Sequence, residues 1–185
     1  TLANALMYYY GSQNKPFVYR CINRLDRDTT GLTIVAKHAL AGGILGNAVA
    51  KRAIHRTYYA VCSGCTPACM RISAPIARKD ASTIERCVDF KRGENAVTDF
   101  IRIKYNPDNN LSLVKLRLLT GRTHQIRVHM KYIGFPLIGD FLYNPDYTYI
   151  SRQALHSGRL VFTHPVTGQK MNLISDIPSD MKSLF

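Results

Sequence analysis

The chain has 185 residues, of which 46% are hydrophobic and 20% are charged, a composition that suits one folded domain and excludes a disordered or collagen-like chain. Its 25 Lys and Arg residues against 12 Asp and Glu give a formal net charge of +13, which favours a polyanionic partner. No apolar run approaches the ~18 residues of a membrane span and no amino-terminal signal sequence is visible, so we expect that partner to be nucleic acid and not a membrane.

The first half of the chain is predicted to contain two helices and two strands. Thr1 is a suitable cap for an opening helix, and Gly11 ends it. A later apolar run rich in β-branched residues is typical of a buried strand. The expected elements are a helix over residues 1–10, a strand over 32–36, a helix over 38–53 and a strand over 57–61.

The second half of the chain predicts strands arranged in hairpins. Apolar and charged residues alternate on both sides of the turn at residues 106–109, which indicates a hairpin with one wet and one dry face. The expected elements are strands over residues 84–90, 96–105, 111–119, 159–163 and 171–174, a helix over 123–133, and a last helical turn from Pro178. We therefore expect one domain over residues 1–185, an α+β fold with a largely antiparallel mixed sheet flanked by helices and loops.

Two long segments carry basic residues and no acid. Residues 29–79 contain seven Lys or Arg, and residues 109–139 contain five. Such segments match the electrostatic footprint of a protein that binds a phosphate backbone. The alternative is an ordinary solvated basic surface.

The five cysteines bear on compartment and metal binding. An odd number without a signal peptide favours reduced thiols in the cytoplasm. Cys62, Cys65 and Cys69 are closely spaced and His55 is near them, which raises a zinc site as an alternative. Gly and Pro interrupt that cluster and no second Cys pair follows, so we expect free thiols and no metal.

Asp26 is the first candidate for chemistry, because it lies among cationic residues in the segment 23–31. A carboxylate beside cationic groups stays ionised, and an ionised carboxylate can act as a nucleophile or a base. The alternative is a turn held by Asp and Thr side chains and closed by Gly31.

The second candidate is the segment 120–129, where Gly121 frees the backbone at the start of a helix. Arg122, His124 and Arg127 add donors suited to phosphate or carboxylate. On a helix, His124, Arg127 and Lys131 share one face and would point together toward a ligand. A simple phosphate clamp would use the same residues.

The third candidate is the tyrosine pair at residues 58–59. Side chains alternate along a strand, so one tyrosine faces each side of the sheet and one could face a cleft. Ordinary packing in the core and on the surface explains the pair equally well.

Together these segments resemble the motifs of RluA-type pseudouridine synthases, and the resemblance covers essentially the whole chain. The matching segments are NRLDRDTTGL at residues 23–32, RTYYA at 56–60, GRTHQIRVH at 121–129, GFPLIGD at 134–140, QALH at 153–156 and FTHPVTG at 162–168. The resemblance implies a pseudouridine synthase fold with a catalytic cleft across the sheet. It also implies an isomerase that flips uridine out of structured RNA and converts it to pseudouridine without a metal or an organic cofactor.

The resemblance implies roles for individual residues. Asp26 matches the catalytic aspartate, Tyr58 the active-site tyrosine that lies against the flipped base, and Arg127 the basic residue that pairs with the aspartate. We expect Asp26 and Arg127 to form an ion pair in a cleft, with the guanidinium fork orienting the carboxylate. The residues expected to bind the substrate RNA are Arg24, Arg56, Arg122, His124 and Lys131.

Three features depart from the family pattern. Asn23 stands where the family commonly has His, and Arg56 where it commonly has Lys. No segment matches the family's strand and Asn-Lys-Pro-type segment before the opening helix, or an S4 RNA-binding domain. The domain prediction is thus a catalytic domain without these parts, in a chain shortened at its amino terminus.

The expected substrate is ribosomal RNA, with transfer RNA as the alternative, and the expected state is a cytoplasmic monomer. A rival hypothesis is an RNA-binding module that keeps the basic face but has no chemistry. Asp26, Tyr58 and Arg127 argue against it, because a pure binder does not require all three. A phosphate-ester hydrolase would need clustered metal-binding carboxylates, which twelve scattered acids do not supply.

Overall fold

A seven-stranded, mostly antiparallel sheet forms the centre of the fold in the computed structural model, which describes residues 1–185. The strands are β1 (Thr30–Gly31), β2 (His55–Ser63), β3 (Cys69–Ser73), β4 (Ile76–Arg78), β5 (Arg86–Val88), β6 (Val97–Asn106), β7 (Leu111–Leu118), β8 (Leu155–Thr163) and β9 (Lys170–Ile174). The helices are α1 (Leu2–Gly11), α2 (Ala39–Ala50), α3 (Gln125–Tyr132) and α4 (Ser179–Lys182). None of the four helices is long and apolar enough to cross a membrane.

The strand order in the main sheet is β1-β8-β2-β7-β6-β3, with β9 paired to β8. Only β1 runs parallel to its neighbour. Strands β4 and β5 form a separate two-stranded sheet. The expected α+β fold with a largely antiparallel mixed sheet is confirmed.

Helix α3 lies between the two sheets, and this placement positions the candidate site. Ile126 and Met130 pack into the core of the main sheet, while Val128 packs with Ile76 and Tyr143 beside the small sheet. The helix is therefore buried on both sides, and Arg127, between these positions in sequence, is carried into the interior.

The pairing of β6 with β7 and the opening helix α1 confirm the sequence predictions, but in β6 the apolar Ile101 and Ile103 are each 49% exposed, so alternation there does not mark the dry face. In the hairpin Val114 and Leu116 are buried, and Lys115 and Arg117 point to the other face. Thr1 caps α1, because its side chain accepts a hydrogen bond from the amide of Asn4. Both elements are determined by local pattern, which a sequence displays directly.

The strand predicted over residues 32–36 is wrong. Only Thr30–Gly31 pairs with β8, and Val35 makes an isolated bridge to Cys21. The side chain of Asn23 accepts a hydrogen bond from the Ile34 amide at 2.8 Å. A side-chain oxygen thus occupies the place of a neighbouring strand's carbonyl, and no regular ladder forms. Strands β3 and β4 were not predicted.

Helix α3 begins later than predicted, at Gln125 and not at residue 123. His124 has φ of 56° and ψ of 18°, the left-handed conformation, so the helix cannot extend back through it. The unusual backbone conformation expected at Gly121 therefore occurs at His124 instead.

Candidate active site

Asp26 lies in the loop that precedes β1 and is held there by Gln153 and by the adjoining strand β8. Its carbonyl accepts a hydrogen bond from the Thr29 amide at 3.0 Å, and the Gln153 amide donates to the Thr29 hydroxyl at 3.1 Å. Gly31 in β1, directly after the loop, has φ of 103°, and a Cβ there would lie 2.3 Å from the carbonyl oxygen of Ser157. Only glycine permits this approach. The loop is thus fixed, and the Asp26 side chain stays 15% exposed.

Arg127 joins Asp26 to a second carboxylate, Asp140. Its Nε and Nη2 each donate to Asp140 at 2.7 Å, and its Nη1 donates to Asp26 at 3.3 Å. The Arg127 and Asp140 side chains are 1% and 0% exposed. Burial lowers the pKa of Arg127, but the hydrogen bonds and charges of Asp140 and Asp26 outweigh burial and raise it. The expected ion pair is present, but the guanidinium fork engages Asp140 and not Asp26.

His124 lies close to Asp26, and its imidazole is hydrogen-bonded to Tyr143. The His124 Nε2 atom lies 3.9 Å from Asp26 Oδ2, and its Nδ1 lies 2.9 Å from the Tyr143 hydroxyl. Burial lowers the pKa of His124 and raises the pKa of Tyr143 to about 12. That hydroxyl also accepts the amide hydrogen of Arg86, and in the Nε2–H tautomer of His124 its own proton donates to Nδ1. Neutral His124 then presents Nε2–H to Asp26.

Tyr58 is the tyrosine that faces the cleft. It is buried in β2 on the side of the sheet covered by α3. Tyr59 faces the opposite side, where a Cβ on Gly158 would lie 2.5 Å from its ring. Burial raises the pKa of Tyr58, the positive charge of Arg56 opposes that rise, and the negative charge of Asp26 adds to it.

One cleft brings together all but one of the residues singled out in the sequence. The lining includes Asp26, Tyr58, Arg127, Arg24, Arg56, Arg122 and His124. Lys131 is not among the lining residues; it is exposed, with its ammonium 5.6 Å from the centroid of the Tyr143 ring. It lies seven residues beyond His124, which corresponds to ~10 Å along a helix axis. The expectation that Lys131 points into the site with His124 is therefore wrong.

Gln125 fixes the turn that enters α3. Its side-chain oxygen accepts hydrogen bonds from the Arg122 amide at 2.9 Å and from the Thr120 hydroxyl at 2.8 Å. The Arg122 side chain pairs with Glu94 and donates to the Asn95 carbonyl at 3.1 Å. Arg122 thus reaches the cleft with part of its charge already compensated.

Sequence reasoning assigned no role to Asp140, Tyr143, Gln125 or Gln153. Asp140 and Gln153 lie inside two of the matching segments, 134–140 and 153–156. Asp140 is the first acid after the acid-free segment 109–139, and this position could have singled it out as a candidate. Gln125 lies inside a third matching segment, 121–129. Tyr143 gave no signal, because its importance depends on partners that only the folded chain brings near.

The cysteines do not form a metal-binding cluster. All five are free, and no group of three or more His, Cys, Asp or Glu side chains is arranged to hold an ion. Cys62 is fully buried in the main core, which raises the pKa of its thiol, whereas Cys65 and Cys69 are exposed.

Three histidines that are buried or half-buried are expected to make the stability of the fold depend on pH. Burial lowers the pKa of His124, His129 and His156, so below about pH 6.5 the unfolded chain binds more protons than the folded one. The free energy of unfolding is expected to be highest above that pH and to fall on acidification, by at most ~1.4 kcal/mol per pH unit for each histidine. Urea unfolding between pH 7 and 5 measures this, and a constant free energy over that range would contradict it.

Comparison with known proteins relates the chain to enzymes that modify RNA. The family model described as RNA pseudouridylate synthase matches residues 2–132. An uncharacterized RNA pseudouridine synthase of Bacillus subtilis, YjbO, is 43% identical over 187 residues, which cover 100% of this chain and 65% of that protein. Ribosomal large subunit pseudouridine synthase D of Zymomonas mobilis is 36% identical over 202 residues, 100% of this chain and 62% of that protein. The chain therefore spans less than two thirds of either relative.

A solved structure agrees with these sequence matches. Human RNA Pseudouridylate Synthase Domain Containing 1 superposes with a TM-score of 0.80 at 26% sequence identity, covering 95% of this chain and 74% of that one. The family model covers most of the chain, and the relatives align along its whole length. The chain belongs to the RNA pseudouridine synthase family, in the RluA-type group that its motifs resemble.

Proposed function

We propose that this chain isomerises uridine in structured RNA to pseudouridine, with ribosomal RNA as the expected substrate and transfer RNA as the alternative. The observation that carries the proposal is a carboxylate, Asp26, in a cleft lined by arginines and paired to the buried Arg127. The name of one relative, a ribosomal large subunit pseudouridine synthase, supports ribosomal RNA. The net charge of +13 suits a phosphate backbone.

The reaction is an isomerisation within one nucleotide. The bond between N1 of uracil and C1′ of ribose breaks, and a bond between C5 and C1′ forms. The hydrogen on C5 leaves as a proton, and N1 gains one, so atoms and charge balance without a co-reactant. Asp26 is the proposed catalytic residue. Attack on C1′, addition to the base and removal of a ribose proton all use its ionised form.

The arginines at the mouth of the cleft are proposed to hold the rearranged RNA. A uridine in folded RNA hides its glycosidic bond, so the base must flip out, which costs a few kcal/mol. Phosphate contacts from Arg24, Arg56 and Arg122 offset that energy. His124, whose Nε2 lies 3.9 Å from Asp26 Oδ2, is placed to contact the ribose or base.

Tyr58→Phe is expected to retain RNA binding and to slow isomerisation severely. Phe keeps the ring that can stack on the flipped base but lacks the hydroxyl, which we propose handles the C5 proton. A loss of 10²–10⁴-fold is typical of removing such a group. Single-turnover formation of pseudouridine measures the rate. Matched Tyr59→Phe, on the other face of the sheet, should leave the rate unchanged; a normal rate for Tyr58→Phe would assign Tyr58 to packing.

Mapping pseudouridines in ribosomal and transfer RNA from cells with and without the gene tests the proposed function. Purified protein should then form pseudouridine in a transcript of the mapped site, with EDTA present throughout, because we expect no metal. RNA binding without any turnover would favour the non-catalytic RNA-binding module. The cytoplasmic location and the monomeric state stay predictions.

A further inference from the structure

A groove lined by arginines continues from the cleft between the end of α2 and the end of β7. It has a volume of about 470 Å³ and shares Arg24 and Arg56 with the cleft. Arg52, just beyond α2, and Arg117, near the end of β7, extend its lining away from Asp26. No Asp or Glu lines it.

Four of the five arginines that line this groove have no carboxylate partner, and the fifth, Arg122, pairs with Glu94. Arg24, Arg52, Arg56 and Arg117 form none of the ion pairs of the structure. Asp99 lies opposite Arg117 on the neighbouring strand. Its two oxygens are bound by Arg71 at 2.6 and 2.8 Å, and Arg117 acts on Asp99 through its charge without a hydrogen bond. Neighbouring like charges without counter-charges repel, so an anionic ligand along the groove is favoured.

The opposite side of the cleft is basic as well, but its arginines are engaged within the protein. Arg92 pairs with Asp89 at 2.7 Å, and Arg122, which lines both this side and the groove, pairs with Glu94. Arg78 donates to a backbone carbonyl at 3.1 Å, and Arg86 donates to two at 3.4 Å. Two of these four arginines therefore have carboxylate partners, whereas four of the five arginines along the groove have none.

We propose that the groove holds the RNA backbone next to the target uridine, with Arg52 and Arg117 binding its phosphates. This inference rests on the proposed function, because a strand whose uridine enters the cleft must continue along a path that begins there. Apolar side chains of Ile54 and Leu118 also line the groove, and they suit the ribose and base faces between phosphates. Charge, continuity with the cleft and a mixed polar and apolar lining favour RNA over an acidic peptide.

The test compares two double variants. The groove variant combines Arg52→Gln and Arg117→Gln, and the control variant combines Lys170→Gln and Lys182→Gln. Each variant removes two exposed charges, and neither control lysine lines the cleft or the groove. The probe is a synthetic stem–loop RNA with a uridine in the loop. We expect the slope of log affinity against log salt to fall by about 1.4–1.8 in the groove variant, which corresponds to roughly 30-fold weaker binding at 0.1 M salt. The control should match the wild type.

Shortened RNAs and turnover sharpen the test. Shortening the RNA on the side of the uridine that lies in the groove should weaken its binding to the wild type, with no further loss in the groove variant. Shortening it on the other side should weaken its binding to both proteins equally. Equal salt slopes for groove variant and control would overturn the inference, and so would a poly-glutamate peptide that competes as well as RNA. Groove-dependent binding without pseudouridine formation by the wild type would leave the groove standing and overturn the proposed function.

Discussion

Asp26→Asn is expected to abolish pseudouridine formation while the fold and RNA affinity persist. Asn is nearly the same size, and its side-chain oxygen can still accept from Arg127 Nη1, which lies 3.3 Å from the present carboxylate. It cannot become a negatively charged nucleophile or base. Removing a group that acts directly in catalysis lowers the rate by at least ~10⁴-fold in other enzymes, and we expect a loss of that size here under single-turnover conditions.

Asp28→Asn is the matched control for this prediction. Asp28 lies in the same loop, its side chain is 44% exposed and it pairs with Arg27 at the surface. Its φ of 69° is a conformation that Asn tolerates. This variant should keep both stability and turnover. Activity retained in Asp26→Asn, or lost equally in both variants, would remove Asp26 from the proposed chemistry.

The parts of the fold predicted correctly are those determined by neighbouring residues. The hairpin of β6 and β7 follows from alternation around one turn, and α1 follows from a cap and a glycine. The strand predicted over residues 32–36 failed because strand formation also depends on a partner, and there Asn23 supplies a side chain in place of one.

The sequence motifs predicted which residues belong to the candidate site. They did not predict which side chains those residues pair with. The segments around Asp26 and Arg127 indicated a pair, and the two side chains do meet. The sequence could not show that the Arg127 fork engages Asp140, because both carboxylates are plausible partners until the distances are known. Nor could it show the left-handed backbone at His124, which turns the imidazole toward Asp26.

Arg127→Met is expected to be the most destabilising change at the site. It leaves Asp140, which is 0% exposed, as a buried carboxylate without its guanidinium, and breaking a buried pair in this way costs ~3–5 kcal/mol. Denaturant unfolding measures the loss. Arg71→Met is the control: it breaks an equally short pair with Asp99, but one whose side chains are 65% and 31% exposed, so the loss should stay below ~1 kcal/mol.

A second change separates the structural role of Arg127 from its role toward Asp26. Oδ1 of Asp140 also accepts the amides of Leu142 and Tyr143, and Asn at this position can still accept them while carrying no charge. Arg127→Met combined with Asp140→Asn should therefore regain part of the stability that Arg127→Met loses. Turnover should be lost in Arg127→Met and in the double variant, because in both Asp26 lacks the guanidinium of Arg127. A double variant no more stable than Arg127→Met would show that buried charge is not the cause, and a double variant that forms pseudouridine would show that Asp26 acts without Arg127.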